Sequence, residues 1–268
     1  MNEVNKIAFI NGKGGCGKTT SIFHVAGVLA KSGERVLVID LDKQRNTSEL
    51  LLKNTERPLN TVFDFMKGTT NAWAATGKAL FQTRGNATPK YYGVDCMVAD
   101  IRLKDELNLQ DIDGKKAGEQ LDEFIKAGAY KWVLFDMPPS NETLNKICFS
   151  YFADFVIIPF SSDMFSLDGY GDIINTIDEN RKYNPKLSII GYYLARYMNN
   201  CAVDREIKNS LVDMIKDKFI NVQIPLSADI REAVMWGRPI SFFKEFSNSR
   251  RAYESLVNEI KKRIKLSR

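Results

Sequence analysis

The stretch GKGGCGKT at residues 12–19 lies between a short apolar run at residues 6–11 and a segment with helical spacing at residues 19–32. It satisfies the pattern G-x-x-x-x-G-K-[ST], and a strand before it with a helix after it is the context in which that pattern binds phosphate. Glycines let successive backbone N–H groups surround phosphate oxygens, and the helix N-terminus adds partial positive charge. A glycine-rich turn without a ligand is the weaker alternative, because both flanking elements are present.

The side chains of this loop suit different parts of a nucleotide. Lys18 is expected to reach the β- and γ-phosphates, and the Thr19 hydroxyl is expected to complete a Mg²⁺ shell. Cys16 lies near the helix N-terminus, a position that lowers thiol pKa values, so we expect alkylation of Cys16 to block nucleotide binding. The predicted cofactor-binding residues of the loop are Gly12, Lys13, Gly14, Gly15, Cys16, Gly17, Lys18, Thr19 and Thr20.

On either side of this loop the chain alternates between apolar runs and helical segments. A second apolar run at residues 35–40 completes a strand, loop, helix, strand unit. Such alternation predicts an α/β fold, a doubly wound, mainly parallel sheet with helices on both faces and ligands at the carboxyl ends of its strands. The further predicted strands are residues 92–98, 130–135, 155–160, 187–194 and 219–224, and the predicted helices between them are residues 117–126, 142–151, 167–181 and 204–218.

No fixed-period repeat and no linker rich in proline, glycine or serine divides the chain, so residues 1–268 are predicted to form a single domain. The least regular part, residues 67–90, is interpreted as an excursion from the sheet with a possible helix at residues 73–81. Residues 248–266 are predicted to form a basic amphipathic C-terminal helix. Its apolar face would consist of Tyr253, Leu256, Val257, Ile260 and Ile264, and its basic stripe of Lys261, Lys265 and Arg268.

Two of the apolar runs end in acids that suit a metal site. Asp40 and Asp42 end the second run at spacing i and i+2, which places both side chains on the same side of a strand. Asp136 ends the run at residues 132–135, and a carboxylate there would hold Mg²⁺ through water. Thr19 and Asp136 are therefore predicted metal residues, and one acid of the pair Asp40 and Asp42 would support the Mg²⁺ shell while the other orients water.

The loop and the acids together resemble the ParA/MinD family of ATPases with the deviant Walker A motif, closest to its short ParA-type partitioning members. The resemblance rests on K-G-G-x-G-K-T-T at residues 13–20, D-L-D-K-Q-R-N at residues 40–46 and D-M-P-P-S at residues 136–140. It implies that Lys13 crosses the interface of an ATP-bound homodimer to contact the partner's nucleotide. It also implies that Asp42 positions the attacking water, so that Asp40 joins Thr19 and Asp136 as the third predicted metal residue. The implied catalytic residues are Lys13, Lys18 and Asp42.

Further motifs extend the resemblance to about residue 240. Residues 159–167 resemble a segment that helps to form the family's dimer face. Pro225 is implied as a contact to adenine, and Asn199 or Asn200 as a polar contact to the same base.

The sequence departs from the family at two places. Lys43 and Arg45 replace the usual proline and glycine, so the loop there is expected to be less pre-shaped. Relatives often carry basic residues just after the motif that contains the adenine-contacting proline, whereas Leu226 and Asp229 lie in this stretch and Arg231 is its one basic residue. Cargo positioning with weak DNA contacts, or with DNA contacts elsewhere on the chain, is therefore an open alternative.

The resemblance implies slow hydrolysis of ATP to ADP and phosphate, with ATP and Mg²⁺ as cofactors, in plasmid or chromosome partitioning. The implied partners are a second copy of the chain, a ParB-like centromere-binding protein that stimulates hydrolysis, and DNA that the ATP dimer binds without sequence preference. Open alternatives are a MinD-like regulator whose C-terminal helix lies on lipid, another cargo-positioning ATPase, and an amidotransfer- or ligase-type relative. Candidate DNA contacts are Arg231, Arg250, Arg251, Lys261, Lys262, Lys265 and Arg268.

Composition and charge narrow the class of protein. No run approaches the ~20 apolar residues of a membrane-spanning helix, and the N-terminus lacks a signal-peptide pattern, so the chain is expected in the cytoplasm, and on the nucleoid when ATP is bound. The four cysteines lack the spacing of zinc or redox sites. Residues 244–268 hold eight Lys or Arg and three Glu, so their net charge of +5 equals that of the whole chain. Such a basic segment suits either contact with an acidic surface or a solvated helix face. His24, alone on the helix after the loop, is expected to be packed.

Overall fold

The computed structural model describes residues 3–83, 87–161 and 170–268, and the strands among them form one eight-stranded sheet. In chain order the strands are β1 (Asn5–Phe9), β2 (Val36–Asp40), β3 (Thr76–Phe81), β4 (Lys90–Met97), β5 (Trp132–Asp136), β6 (Phe155–Ser161), β7 (Ser188–Tyr197) and β8 (Phe219–Pro225). Their order across the sheet is β3-β4-β2-β5-β1-β6-β7-β8. Every neighbouring pair is parallel except β3 and β4, which pair antiparallel at one edge. The mainly parallel, doubly wound sheet predicted from the alternation is thereby confirmed.

Helices connect these strands and cover both faces of the sheet. Those in the described ranges are α1 (Lys18–Lys31), α2 (Asn46–Leu51), α3 (Val62–Met66), α4 (Glu106–Leu109), α5 (Gly114–Ala127), α6 (Glu142–Ile147), α7 (Tyr170–Asn180), α8 (Ala202–Ile215), α9 (Ala228–Met235), α10 (Ile240–Phe243) and α11 (Asn248–Ser267). A π-helical turn, Cys148–Phe152, continues α6, and short 3₁₀ turns lie at Ile101–Lys104 and Lys216–Lys218.

Two hydrophobic cores lie on opposite faces of the sheet, because successive strand residues point to opposite sides. Ile7 and Phe9 of β1 belong to the core that α1 and α11 cover, whereas Ala8 and Ile10 belong to the core that α5 covers. Strands β2 and β5 are buried at every position. This burial on both faces explains why the central strands read as continuous apolar runs in the sequence.

The carboxyl ends of β1, β2 and β5 meet at one edge of the sheet. Phe9 and Asp40 are both in register with Asp136, from the two sides of β5. The glycine-rich loop that follows β1 therefore lies next to the acids that end β2 and β5.

Residues 76–81 form β3 instead of the helix expected at residues 73–81. Gly77, Ala79 and Phe81 are buried while Lys78 between them is exposed, which is the period of two that belongs to a strand. β3 pairs with β4 through a register irregularity between Lys78 and Leu80. The helical interpretation was wrong because β3 is an edge strand, and its apolar residues lie close to a turn-rich segment.

Candidate functional site

The glycine-rich loop joins β1 to α1 at the carboxyl edge of the sheet. Gly17, the residue before α1, has a φ of 89°, and a Cβ added to it would lie 3.2 Å from the Cβ of Ala195. Glycine adopts this left-handed conformation without strain. Among the described residues, α1 begins with neither a side-chain cap nor an acidic residue in its first turn. The partial positive charge of its N-terminus is therefore available to an anion such as phosphate.

Hydrogen bonds hold the loop in a defined shape. The buried Lys18 Nζ donates to the carbonyls of Asn11 and Lys13 at 3.2 and 3.3 Å. The Asn11 side chain accepts from the Lys13 N–H at 2.9 Å and donates to the Pro159 carbonyl at 2.7 Å. The ammonium group of Lys18 thus lies inside the loop, where it would meet phosphate oxygens.

Two buried carboxylates lie beside the loop. Asp40 and Asp136 are 0% and 1% exposed, at paired positions of β2 and β5. The hydroxyls of Thr19 and Thr47 both donate to Asp136 Oδ2, at 2.7 and 2.5 Å. Ser48 donates to Asp40 Oδ2 from its hydroxyl at 2.7 Å and from its N–H at 2.8 Å. Asp136 Oδ1 is buried and has no hydrogen-bond partner among the described residues.

Burial raises the pKa of both acids. The pKa of Asp40 rises to about 8, because of burial first and the neighbouring charge of Asp136 second. Burial also raises the pKa of Asp136 to about 6, against the hydrogen bonds from Thr47 and Thr19, which lower it. Two carboxylates this close resist ionising together. A hard cation such as Mg²⁺, which prefers oxygen ligands, would favour the ionised pair.

The loop after β2 carries the predicted water-positioning acid. The Asp42 N–H donates to Asp40 Oδ1 at 3.1 Å, and Asp42 Oδ1 accepts from the Gln44 N–H at 2.9 Å. Arg45 precedes α2 with a φ of 59°, and its N–H donates to the Asp42 carbonyl at 2.8 Å. Although the loop lacks the expected proline and glycine, these hydrogen bonds define its turn, and Arg45 takes the left-handed conformation.

A cleft of 970 Å³ runs from the glycine-rich loop towards the end of β8. Pro225, the implied adenine contact, lies in its wall, as does Arg196 at the end of β7. Asn199 and Asn200 follow β7 in an exposed turn and are not among the residues that line the cleft. The predicted residues that line it are Gly14, Gly15, Gly17, Lys18, Thr19, Thr20, Asp42, Pro225 and Arg231; Gly12, Lys13 and Cys16 belong to the loop but not to this lining.

Four side chains of the site were missed from the sequence. Thr47 and Ser48 bind the two buried acids, Arg196 lines the cleft, and Tyr253 brings α11 to the cleft wall. Hydroxyls in the first turn of a helix are common caps, so only their closeness to D-x-D at residues 40–42 hinted at Thr47 and Ser48. Tyr253 was assigned to an apolar face, which does not indicate what its hydroxyl meets.

The expectation of a lowered Cys16 pKa is wrong. Cys16 is 1% exposed, and its Sγ donates to the Lys13 carbonyl at 3.3 Å. Burial raises the thiol pKa, although the nearby Lys18 charge opposes that rise. The thiol points into the loop instead of towards a reagent, so it gives no reason to expect rapid alkylation.

His24 is packed, as expected. It is fully buried in α1, and its Nδ1 accepts the Ile240 N–H at 2.9 Å. Its ring lies 4.7 Å from that of Tyr253, centroid to centroid. Burial lowers the pKa of His24 to about 3, so the neutral imidazole serves as a hydrogen-bond acceptor inside the core.

The C-terminal helix α11 turns its apolar face into the core. Tyr253, Leu256, Val257, Ile260 and Ile264 are all buried there. Most of its basic residues contact acids or amides, as does Arg268 directly after it: Arg250 with Glu254, Arg251 with Asn248, Lys261 with Glu34, Lys262 with Glu259 and Arg268 with Glu3. Exposed pairs of this kind contribute little stability. Within the ranges given above, none of the helices combines the length and apolar character needed to cross a bilayer.

The segment expected at a dimer face is described only in part. Of residues 159–167, Pro159–Ser161 end β6. Residues 162–167 lie outside the described residues.

Comparison with known proteins adds a family to this geometry. A family model described as an AAA domain matches residues 4–189. The chain is similar to the chromosome partitioning protein ParA of Caulobacter vibrioides, with 29% identity over 263 residues that cover 97% of this chain and 94% of that protein. It is also similar to the chromosome-partitioning ATPase Soj of Treponema pallidum, with 30% identity over 263 residues that cover 95% of this chain and 96% of that protein.

The fold recurs among solved structures. Cobyrinic acid a,c-diamide synthase from Mycobacterium smegmatis, with bound ADP and magnesium, superposes with a TM-score of 0.79 over 99% of this chain and 97% of that chain, at 21% identity. Identity this low shows the shared fold alone, so the family rests on the match over residues 4–189 and on relatives aligned over nearly their whole length. Together with the P-loop and the paired acids beside it, these matches show that the chain belongs to the ParA/MinD family of P-loop ATPases.

Proposed function

We propose that this protein binds MgATP, pairs with a second copy of itself, and hydrolyses ATP slowly to drive DNA segregation. The P-loop contains a second lysine, Lys13, and its Thr19 hydroxyl donates to the buried Asp136 at 2.7 Å, next to the equally buried Asp40. This arrangement is the observation that carries the proposal. Relatives named as partitioning proteins, ParA of Caulobacter vibrioides and Soj of Treponema pallidum, support the biological role. A ParB-like partner that stimulates hydrolysis belongs to the same proposal.

The residues present fit a magnesium ion. Asp136 Oδ1 is a buried oxygen without a hydrogen-bond partner among the described residues, and the Thr19 hydroxyl lies 2.7 Å from the other oxygen of the same carboxylate. Thr19 would hold Mg²⁺ directly and Asp136 through water, with Asp40 supporting the shell. When bound, magnesium supplies charge neutralisation at the β- and γ-phosphates.

The remaining roles follow from position. Lys18 lies inside the loop and would bind the β- and γ-phosphates, and the N-terminus of α1 would stabilise negative charge there. Asp42 lines the cleft and would orient the attacking water. The adenine would lie at the far end of the cleft, against Pro225. Lys13 is half-buried at the start of the loop and would contact the nucleotide of the partner subunit.

Replacement of Lys13 tests this proposal. In a Lys13→Ala variant we expect ATP to bind but pairing on ATP to be lost, and hydrolysis to fall about 100-fold or more, because a charge that stabilises the transition state is removed. Light scattering with and without ATP measures pairing, and phosphate release measures turnover. Lys115→Ala, which removes an exposed lysine of α5, is the matched control. A Lys13→Ala protein that pairs on ATP and turns it over at the wild-type rate would refute the proposal.

DNA binding by the ATP dimer is the finer part of the proposal. Arg231 lines the cleft, and the other candidate contacts lie on α11 or, for Arg268, directly after it. The ion pairs along α11 are weak enough for phosphates to replace them. The proposed contacts are Arg231, Arg250, Arg251, Lys261, Lys262, Lys265 and Arg268.

The membrane-associated alternative makes a different demand on α11. A helix that lies on lipid must present its apolar face to the bilayer, whereas residues such as Leu256 and Ile260 of α11 are buried against the sheet. ATP-dependent sedimentation with anionic vesicles, without retention on DNA, would favour that alternative over the one proposed.

A further inference from the structure

The hydroxyl of Thr47 contacts one of the two buried carboxylates of the proposed magnesium site. Thr47 is the second residue of α2 and is 0% exposed. A buried threonine in a helix often satisfies its hydroxyl on a backbone carbonyl one turn earlier. Here the Thr47 hydroxyl instead donates to Asp136 Oδ2, 89 residues further along the chain, at 2.5 Å.

The bond selects one of the two Asp136 oxygens. Oδ2 accepts two hydroxyls, from Thr47 and Thr19, while Oδ1 accepts no hydrogen bond from the described residues. Two donors on one oxygen fix the rotation of the carboxylate about its χ2 angle, which is otherwise broad. Thr47 thus helps to decide which oxygen of Asp136 is engaged, and it leaves Oδ1 without a hydrogen bond from the described residues.

The next residue acts in the same way on the other acid. The Ser48 hydroxyl and N–H bind Asp40 Oδ2, and the Ser48 hydroxyl also accepts the Ala99 N–H at 3.0 Å. Consecutive residues in the first turn of α2 therefore hold both buried carboxylates. The Asp42 N–H donates to Oδ1 of the same Asp40 that Ser48 holds, so the first turn of α2 also helps to fix the loop that carries Asp42.

We propose that Thr47 is a positioning residue for magnesium. Its hydroxyl orients Asp136 and connects the loop that carries Asp42 to the proposed magnesium site. The inference rests on the proposed function, since it assigns Thr47 a role only in a site that binds Mg²⁺ with ATP. Side chains that hydrogen-bond a metal ligand commonly change metal affinity by about 10- to 100-fold, and because Asp136 would act through water we expect the lower end of that range. Thr47 differs from a ligand in that it acts through Asp136.

Magnesium titration of nucleotide binding tests the proposal without requiring turnover. With a fluorescent ATP analogue at fixed concentration, Thr47→Val should need about tenfold more Mg²⁺ than wild type for half-maximal binding. Binding of the same analogue in EDTA should be unchanged, because the phosphate loop is intact. Thr47→Ser keeps the hydroxyl and should stay within about threefold of wild type.

Matched variants separate orientation of Asp136 from general damage. Thr76, the first residue of β3, donates its hydroxyl to the Ala72 carbonyl at 2.7 Å. Thr76→Val removes that hydroxyl and should not change the Mg²⁺ requirement. If Thr47→Val does not fold, Thr47→Ala and Thr47→Ser are compared instead, with the same expected difference. A variant without the hydroxyl that keeps the wild-type Mg²⁺ requirement overturns the inference, and so does a serine variant as impaired as valine or alanine.

The outcome for wild type separates this inference from the proposed function. Wild-type protein that shows no Mg²⁺-dependent nucleotide binding contradicts the proposed function itself. Wild-type protein that binds MgATP while Thr47→Val behaves identically contradicts only the role of Thr47.

Discussion

The paired acids Asp40 and Asp136 make stability depend on pH. Burial raises their pKa values to about 8 and about 6, above the ordinary aspartate value that an unfolded chain would show. The folded state therefore binds more protons than the unfolded state, and stability falls as pH rises through these two values. For protein without nucleotide, we expect the unfolding temperature to fall between about pH 5 and pH 8.

Thermal unfolding across this pH range, with and without MgATP, measures the effect. Bound Mg²⁺ favours the ionised carboxylates, so MgATP should flatten the fall. Asp40→Asn removes the acid with the larger pKa shift and should reduce the slope in the absence of nucleotide. A slope that Asp40→Asn leaves unchanged would mean that other groups cause it.

Arg45 stores backbone strain next to Asp42. Its φ of 59° lies in the left-handed region, which costs a non-glycine residue about 1–2 kcal/mol. Arg45→Gly relieves this strain but adds freedom to the unfolded chain, so we expect its unfolding free energy to lie within about 1 kcal/mol of wild type. Arg45→Val, which is β-branched, should be less stable than Arg45→Gly by about 1 kcal/mol or more. Urea unfolding measures both, and a valine variant as stable as glycine would contradict the strain.

Among the helices, α1 depends on a close approach at Gly27. A Cβ added to Gly27 would lie 2.1 Å from the Cβ of Pro239, just before α10, so one of the two elements would have to move. Gly27→Ala should therefore lower the unfolding free energy by about 1–3 kcal/mol, as overpacking does. Gly171 of α7 is the matched control: within residues 3–83, 87–161 and 170–268, no heavy atom outside its own neighbourhood lies within 4 Å of an added Cβ. Gly171→Ala should instead stabilise α7 by up to about 1 kcal/mol.

Equilibrium urea unfolding of the two alanine variants measures this difference directly. Equal stability of Gly27→Ala and wild type would show that α1 and the residues before α10 separate without cost. The expected loss reflects packing alone, since Gly27 lies in the helix and not in the phosphate loop.

The central elements could be predicted from the sequence because burial on both faces leaves continuous apolar runs. β2 and β5 are such strands, and the acids that end them indicated the proposed magnesium site. β3 could not be identified in this way, since half of an edge strand faces solvent and its pairing with β4 is irregular. Thr47 was equally hidden, because a hydroxyl becomes informative only when the fold brings it to a carboxylate 89 residues away.

At the scale of the whole molecule, α11 concentrates the positive charge but shares it with acids from distant parts of the chain. Lys261 contacts Glu34, and Arg268, directly after the helix, contacts Glu3. The proposed DNA binding should therefore involve few phosphates and weaken with salt. For about four phosphate contacts, affinity should fall about 100-fold between roughly 50 and 200 mM salt.

Retention of the ATP-bound protein on nonspecific DNA measures this dependence. Lys262→Glu with Lys265→Glu reverses two exposed charges of α11 and should weaken retention, whereas Lys115→Glu with Lys116→Glu makes the same change on α5 and should affect it less. Retention that ignores salt, or an equal loss from both double variants, would exclude α11 as the DNA surface.

The central place of β1 in the sheet determines how much of the chain must be synthesised before the phosphate site can form. β1 ends at Phe9, yet its hydrogen-bonded neighbours are β5, which ends at Asp136, and β6, which ends at Ser161. At ribosomal speeds of about 5–20 residues per second, more than 120 further residues take on the order of ten seconds to emerge. During that interval the glycine-rich loop lacks the two strands that flank β1 in the sheet. A nascent chain released before β6 would therefore contain the loop without a formed phosphate site.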